Sequence, residues 1–380
     1  MNATPTDTAS PRDSVEVPRA PYRYCALPPQ PAPVLPPNLG FERSRAIVVG
    51  RSKWLSGTVL HYYFFDRETD GETVRFTDGT SRFVTWVGEE EQRAVVRRAF
   101  ETWKDLGIGL EFREVQDRSE AEVRIGFMMD YDGSWSYVGR DVLQQGVNDR
   151  TMNFGWDLTA DDYGVTTVLH EIGHTLGMPH EHQNPFAGIV WDEQAVYTYF
   201  AGPPNSWPEN QTFHNVLRKL NEGEVFGSTW DPDSVMEYSF PAGLIKQPAQ
   251  YAAGIRPPGT LSPLDKQYVR TWYPELQPTL PTLEPFASAA LDLEPKEQAD
   301  FVLAPPGTRE YSIGTFGASD VVLVLLERVG DELRFVAGDD DSGADRNALI
   351  RQKLFQGREY VVRVRCYYSW QSARTALMYW

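Results

Sequence analysis

A short stretch near the middle of the chain, HEIGHTLGMPHEH at 170–182, concentrates side chains that could bind a metal ion. On a helix, His170 and His174 lie one turn apart on the same face, where two imidazoles can bind one zinc ion. Glu171 lies beside the first ligand, where its carboxylate can reach a water molecule at the metal. Gly177 lets the chain turn sharply, so that His180 can return as a third ligand. Three protein ligands and one open position are typical of a catalytic zinc site.

The helix that must position these histidines is predicted over 161–176. It has an acidic N-cap, Asp161 or Asp162, and an apolar stripe; the stripe consists of Val165, Val168, Leu169, Ile172 and Leu176. The hydrophobic pattern also predicts helices at 89–107 and 263–272 and strands at 57–66, 109–115, 121–128, 134–139 and 150–155. Residues 177–260 show weak periodicity and are predicted to be mostly loops.

This site resembles the astacin branch of the metzincins. In that branch the third histidine is followed by a glutamate and often by a histidine, here Glu181 and His182. The segment DPDSVMEYSF resembles the methionine turn of the family, which places Met236 beneath the zinc and Tyr238 beside it. WSYVGR at 135–140 resembles the strand that pairs with bound peptide, and LSPLDKQYVRTWYP at 261–274 resembles the last helix of the catalytic domain. The likeness covers about residues 46–275.

The resemblance implies a zinc-dependent endopeptidase that hydrolyses peptide bonds of extended polypeptides. It implies one catalytic Zn²⁺ held by His170, His174 and His180, with Glu171 as general base. It further implies that Tyr238 stabilises the transition state. The implied fold class is α+β: a two-lobed metzincin catalytic domain, with a twisted mixed sheet plus helices, followed by a small all-β sandwich.

Two alternatives remain open at this stage. A serralysin-like secreted protease would carry C-terminal glycine-rich repeats with calcium-binding aspartates, and the sequence shows none. A non-catalytic protein could use zinc only to hold a peptide-binding cleft. Glu171 argues against this second alternative, because a binding module does not need that carboxylate.

Composition narrows the expected partners. The 380 residues carry a net charge of −17, from 36 basic and 53 acidic side chains. A chain this acidic has no electrostatic footprint for nucleic acid or an anionic membrane, so the expected partner is a polypeptide substrate. No apolar run reaches the length of a membrane helix. The first 30 residues lack the pattern of a secretory signal, although the resemblance implies an extracellular location. The sequence gives no oligomeric state.

Changes in composition divide the chain into four parts. Residues 1–45 form a proline-rich tail or prosegment, 46–275 the astacin-like zinc metallopeptidase domain, 276–286 a linker and 287–380 a β-sandwich accessory domain. The sandwich is predicted from short β-rich segments separated by turns, and it resembles bacterial pre-peptidase C-terminal domains. Its GDDDSG turn, 338–343, offers three aspartates that could bind Ca²⁺, although a solvated turn is the alternative.

The N-terminal tail is polar and proline-rich, and we expect it to stay outside any core. As a prosegment it would cover the cleft, and Cys25 could then supply a thiolate to the open zinc position. A leader without regular structure is the alternative. The two cysteines, Cys25 and Cys366, are too few for a disulfide scaffold and are expected to be free thiols.

Overall fold

The computed structural model describes residues 23–29, 53–76, 78–221, 229–276, 280–295, 297–330, 332–368 and 371–380. Within these ranges an α+β region precedes an all-β region, as the sequence predicts. The domain boundaries at 45, 275 and 286 stay predictions. Residues on both sides of the first boundary, and residues 277–279 of the linker, lie outside the described ranges.

A five-stranded mixed sheet forms the upper lobe of the α+β region. The strands of the upper lobe are β1 Val59–Phe64, β2 Gly71–Arg75, β3 Ser81–Thr85, β4 Glu111–Glu114, β5 Val123–Gly126, β6 Trp135–Ser136 and β7 Met152–Asn153. The sheet order is β4-β1-β5-β7-β6, in which the β6–β7 pair is antiparallel and the other pairs are parallel. Strand β6 therefore forms one edge of the sheet. The remaining two strands, β2 and β3, pair as a separate hairpin that the sequence analysis did not predict.

The described part of the α+β region contains five α-helices: α1 Glu90–Lys104, α2 Asp162–Thr175, α3 Glu193–Ala201, α4 Glu209–Thr212 and α5 Pro263–Trp272. Helices α1 and α2 pack together because α1 buries an apolar stripe that includes Val96, Phe100 and Trp103. The indole of Trp103 also donates a hydrogen bond to Leu169 O, at 3.2 Å. In the part of the chain that the structure describes, no helix is both long and apolar enough to cross a membrane.

The lower lobe follows α2 and contains more regular structure than the sequence predicts. The expectation of mostly loops over 177–260 is wrong for α3, α4 and the short strands β8 Val190–Trp191 and β9 Ile245–Gln247. These elements are short, and α3 buries only Val196 and Phe200. Two buried positions four residues apart give too little periodicity to distinguish a helix from a loop.

The all-β region contains eight strands in two four-stranded antiparallel sheets, which confirms the predicted sandwich. The strands are β10 Ser288–Leu293, β11 Gln298–Leu303, β12 Arg309–Gly317, β13 Val321–Val329, β14 Glu332–Asp339, β15 Leu349–Leu354, β16 Glu359–Cys366 and β17 Ala373–Tyr379. One sheet has the order β10-β17-β12-β15 and the other β11-β16-β13-β14. Alternate residues of both sheets meet in a shared apolar core.

Candidate metal centre and active site

Helix α2 carries the first two predicted ligands on its buried face. The side chain of Asp161 accepts a hydrogen bond from Tyr163 N at 3.0 Å and so caps the first turn, as predicted. The apolar stripe is narrower than predicted, since Val165 is 45% exposed. The helix is nevertheless buried from Thr167 to its end, so its polar ligand residues are held in a dry interior.

Backbone carbonyls orient the two helical histidines. The Nδ1 atom of His170 lies 2.8 Å from Val235 O, and that of His174 lies 2.7 Å from Met178 O. A carbonyl can only accept, so Nδ1 of each ring must carry the proton and Nε2 must present a lone pair. Nε2 of His170 has no hydrogen-bond partner among the described residues. A buried lone pair without a partner is what a metal ligand presents before the metal is added.

The third histidine reaches the same point from outside the helix. The chain leaves α2 at Gly177, whose φ of +90° is readily adopted only by glycine. The ring centroid of His180 then lies 5.4 Å from that of His170 and 4.7 Å from that of His174. A ligand atom from each of these three residues and the sulfur of Cys25 all lie within 4.8 Å of one another. The four residues could therefore hold a single metal ion.

The charge states of the three histidines suit zinc. Burial lowers the pKa of His170 to about 4, and it lowers the pKa values of His174 and His180 well below the usual range for histidine. All three imidazoles are therefore neutral near pH 7, which is the form that binds zinc. Neutral nitrogen donors together with a cysteine sulfur are a typical zinc donor set, and the residues present fit that ion.

Glu171 lies next to the first ligand and is fully buried. Its Oε2 atom accepts a hydrogen bond from the thiol of Cys25 at 3.5 Å, and its Oε1 atom has no partner among the described residues. Burial raises the pKa of this carboxyl well above its usual value. A carboxyl group that takes up a proton readily suits proton transfer near neutral pH. A cavity of about 260 Å³ opens beside Glu171 and is also lined by Tyr163 and Tyr238.

Met236 packs against α2 at Gly173. A Cβ atom placed on Gly173 would lie 2.4 Å from Met236 Sδ, so the sulfur packs against the helix backbone between the two histidines. Any larger residue at 173 would displace this side chain. The glycine inside the motif is therefore required by packing and not by backbone conformation.

Tyr238 faces the histidines across the cleft. Its hydroxyl lies 3.0 Å from His180 Nε2 and donates a hydrogen bond to the carbonyl oxygen of Cys25 at 2.5 Å. The structure thus brings together all five residues proposed from the sequence: His170, Glu171, His174, His180 and Tyr238. Their roles in zinc binding and catalysis are taken up as proposals below.

Asp265 supports the site from α5, and the sequence analysis missed it. Its carboxylate accepts hydrogen bonds from Val235 N at 2.8 Å and from Ser234 Oγ at 2.6 Å. These bonds hold the turn whose carbonyl orients His170. Asp265 also forms a reciprocal capping box with Ser262. The Ser-Pro-Leu-Asp pattern at 262–265 signals that box, although nothing in it indicates the contact with the methionine turn.

The C-terminal end of α2 is held by residues from both ends of the α+β region. Trp54 donates its indole N–H to Thr175 O at 2.8 Å. Tyr273 donates its hydroxyl to Leu176 O at 2.7 Å. Both carbonyls belong to the last turn of the helix and lack intrahelical partners. No local pattern in the sequence indicates these contacts.

The segment 23–29, called here the plug segment, lies in the cleft. Ala26 N donates to Ser134 O at 3.0 Å beside edge strand β6, and Tyr163 donates its hydroxyl to Arg23 O. Tyr24 and Cys25 are buried and join the apolar core of the lower lobe. The expectation that the tail stays outside any core is therefore wrong for this segment, because an average over a proline-rich tail conceals one short apolar anchor.

Calcium binding by the GDDDSG turn receives no support. Asp339 accepts hydrogen bonds from Ser342 N at 3.0 Å and from Leu349 N at 2.7 Å, so its carboxylate closes the turn. Among the described residues, the cluster formed by Cys25 and the three histidines is the one group whose ligand atoms converge closely enough for a metal.

Comparison with known proteins agrees with this site. The peptidase family described as Astacin matches residues 80–243. The solved structure of myroilysin is 30% identical with a TM-score of 0.50, and the match covers 60% of this chain and 98% of that one. The chain therefore belongs to the astacin family. Metzincins of this kind are zinc-dependent, in keeping with the histidine cluster.

Curated relatives match over shorter stretches. Bone morphogenetic protein 1 from Xenopus laevis is 29% identical over 173 residues, which are 44% of this chain and 22% of that protein. Serralysin from Photorhabdus sp. (strain Az29) is 31% identical over 129 residues, which are 32% of this chain and 25% of that protein. The match thus spans a quarter or less of the length of these two relatives.

The sandwich has a solved neighbour as well. The pre-peptidase C-terminal domain of a collagenase from Bacillus anthracis is 10% identical with a TM-score of 0.24, covering 28% of this chain and 98% of that domain. At that identity and TM-score, the likeness does not define a function for the C-terminal region.

Proposed function

We propose that the chain is a zinc-dependent endopeptidase that cuts extended polypeptides. The observation that carries this proposal is the convergence of three neutral imidazoles beside the buried carboxyl of Glu171. His170, His174 and His180 would hold the ion, and Cys25 would leave when the cleft opens. Bound zinc supplies Lewis acidity, which polarises a carbonyl group and lowers the pKa of water.

The residues of the chain account for the remaining chemistry. A substrate strand would pair with edge strand β6, which places its scissile carbonyl between Glu171 and Tyr238. Glu171 takes a proton from the attacking water as the C–O bond forms. Tyr238 donates its hydroxyl hydrogen bond to the developing oxyanion. Glu171 then gives the proton to the amide nitrogen as the C–N bond breaks, and the amine leaves neutral.

Two weaker alternatives remain. A serralysin-like protease would share the site, but glycine-rich calcium repeats are absent from the sequence and the C-terminal region is a sandwich. A non-catalytic peptide-binding protein does not require a buried carboxyl beside the metal ligands. The resemblance to astacins and serralysins also favours an extracellular location, which we retain as a proposal.

Peptide cleavage and its dependence on metal test the function directly. We expect the zinc-loaded full chain with Cys25→Ser to cut a proteome-derived peptide library at internal bonds. A chelator should stop cleavage, and added Zn²⁺ should restore it, because the proposed reaction depends on the ion that the three histidines would hold. Mass spectrometry of the products gives both the cuts and their positions. Cleavage that continues after the bound zinc has been removed would refute the proposal.

We also propose that the plug segment keeps the unprocessed chain inactive. The sulfur of Cys25 lies 3.5 Å from both Glu171 Oε2 and His174 Nε2. In the proposed site it would take the place of the attacking water. A cysteine sulfur in this position would complete a four-coordinate zinc site and close it. The carbonyl oxygen of Cys25 also accepts the hydrogen bond of the Tyr238 hydroxyl, which is then not available to a substrate.

The latency proposal predicts activation by a single substitution. We expect Cys25→Ser to raise the initial rate of peptide cleavage by at least about tenfold. Residues that only contact a metal ligand already change metal affinity or activity by about 10–100-fold, and a residue bound to the metal itself should have at least as large an effect. Cys366→Ser is the matched control, because Cys366 is also a buried free cysteine but lies in the sandwich. Initial rates at equal zinc content make the comparison. Equal rates for the wild type and Cys25→Ser would remove the role of the thiol.

A chain that begins at Ala46 lacks the whole plug segment, so comparing it with Cys25→Ser separates the effect of the thiol from that of the rest of the segment. Activation in that chain but not in Cys25→Ser would retain the prosegment and exclude the sulfur as its essential contact. Equal activity in all three chains would exclude latency.

A further inference from the structure

Tyr24 of the plug segment fills a deep pocket in the lower lobe. Only 4% of the residue is exposed. The rings around it belong to Tyr199, Phe200, Trp207, Tyr238 and Phe240, with centroids between 4.8 and 6.3 Å from its own. This set of five rings is called here the Tyr24 pocket. Four of these contacts are edge or tilted and the one with Phe240 is stacked. These geometries favour a flat aromatic occupant over an aliphatic one.

The floor of the pocket contains a backbone carbonyl and a tyrosine hydroxyl. The hydroxyl of Tyr24 donates to Ser239 O at 2.6 Å and lies 3.3 Å from the hydroxyl of Tyr199. A backbone carbonyl can accept a hydrogen bond but cannot donate one. A phenolic hydroxyl therefore fits the floor, whereas a carboxylate would lose its hydration and face an oxygen acceptor.

The pocket opens next to the reacting groups. Tyr238 forms one wall with its ring and donates its hydroxyl to the carbonyl of Cys25, the residue that follows Tyr24. On the other side of Cys25, Ala26 N is hydrogen-bonded to Ser134 O beside edge strand β6. The plug segment thus resembles a bound peptide, with one backbone hydrogen bond beside a sheet edge and one side chain in a pocket.

We propose that the Tyr24 pocket determines substrate specificity and takes an aromatic side chain, tyrosine before phenylalanine, within two residues of the bond that is cut. This inference rests on the proposed endopeptidase function, because the pocket becomes available to a substrate only when the plug segment leaves. The plug segment then acts as an internal substrate mimic whose tyrosine occupies the specificity pocket. Acidic side chains at that position are disfavoured.

Specificity is measured on the full chain with Tyr24→Ala and Cys25→Ser, which removes both anchors of the plug segment. One peptide sequence is varied to Tyr, Phe, Leu, Ala or Glu at each of the two positions on either side of the cut. At one position we expect kcat/KM for Tyr and Phe to exceed that for Ala by at least about tenfold, with Glu lowest. No aromatic preference at any of the four positions, with cleavage intact, would overturn the proposal.

Pocket variants connect the preference to these rings. Trp207→Leu and Tyr199→Leu should each reduce the preference for aromatic over alanine to less than about threefold, since each removes one wall. Phe213→Leu is the matched control, because Phe213 belongs to the same lobe but is 52% exposed. Circular dichroism verifies folding, and Tyr199→Leu keeps the test decisive if Trp207→Leu does not fold. A preference that survives both pocket variants would contradict the assignment.

A binding measurement distinguishes failure of the pocket from failure of the enzyme. A fluorescent peptide of residues 23–29 with Cys25→Ser is titrated against the same full-chain variant, alongside peptides in which Tyr24 is replaced by Phe, Ala or Glu. We expect Tyr to bind at least about tenfold more tightly than Ala, and Glu to bind most weakly. That order without cleavage would sustain the pocket and refute the proposed function. Equal binding of all four peptides would overturn the pocket, whatever the activity.

Discussion

Replacing Glu171 by glutamine should abolish nearly all peptide cleavage while leaving zinc in place. The side chain is fully buried beside the first ligand but is not among the four residues whose ligand atoms converge. The amide keeps the shape of the carboxyl group and cannot take up the proton of water. General acid–base catalysis typically contributes about 10²–10⁴-fold, and we expect a loss of this size in kcat.

The experiment is best done in the Cys25→Ser chain, where latency does not obscure the rate. Zinc content by atomic absorption and kcat on one defined peptide are measured together. Glu193→Gln is the control, because Glu193 is an exposed glutamate in the same lobe and should have no effect. A Glu171→Gln protein with full zinc and unchanged turnover would be incompatible with the mechanism. Loss of zinc in this variant would show instead that the carboxyl supports the metal site.

Replacing Tyr238 by phenylalanine should lower kcat much more than it changes KM. In the described structure the hydroxyl already donates to a peptide carbonyl, that of Cys25, at 2.5 Å. The same bond to a substrate would strengthen as negative charge develops on the oxygen, so its removal acts mainly on the transition state. By analogy with oxyanion donors we expect a loss of roughly 1–3 kcal/mol, about 5–150-fold in kcat.

Steady-state kinetics on a series of peptide concentrations separates the two parameters. Tyr197→Phe serves as the matched control, because Tyr197 lies on α3 and is only partly buried. Phenylalanine at position 238 keeps the aromatic ring of the wild-type tyrosine, so the packing of this ring against His180 should be preserved. A change confined to KM would make Tyr238 a substrate-binding residue and would contradict its proposed role in the transition state.

The parts of the site that depend on spacing within one helix could be predicted from sequence. His170 and His174 share a face because the helix has 3.6 residues per turn, and a glycine signals the turn towards His180. The parts that depend on distant contacts could not be predicted. Neither Asp265 nor Trp54 lies near the motif in sequence, and each reaches it only through the tertiary fold.

Local patterns also failed where an element was short or lay within a region of different composition. Helix α3 buries two residues in nine, which is too few for a periodic signal. The plug segment has only Tyr24 and Cys25 fully buried within a tail dominated by proline, so composition indicated an unstructured tail. In both cases the apolar residues gain their burial from partners that are far away in sequence.

The two hydrogen bonds at the C-terminal end of α2 also bear on how far each end of the chain can be shortened. Trp54 and Tyr273 stand near the first and last residues of the metallopeptidase region, and Trp54 N lies 3.4 Å from the hydroxyl of Tyr273. Trp54 and Tyr273 therefore contact Thr175 and Leu176, the first and second residues after His174. Trimming either end would leave a buried carbonyl unsatisfied, at a cost of about 1–3 kcal/mol each. Deletions that cross Trp54 or Tyr273 are therefore expected to loosen the histidine helix itself.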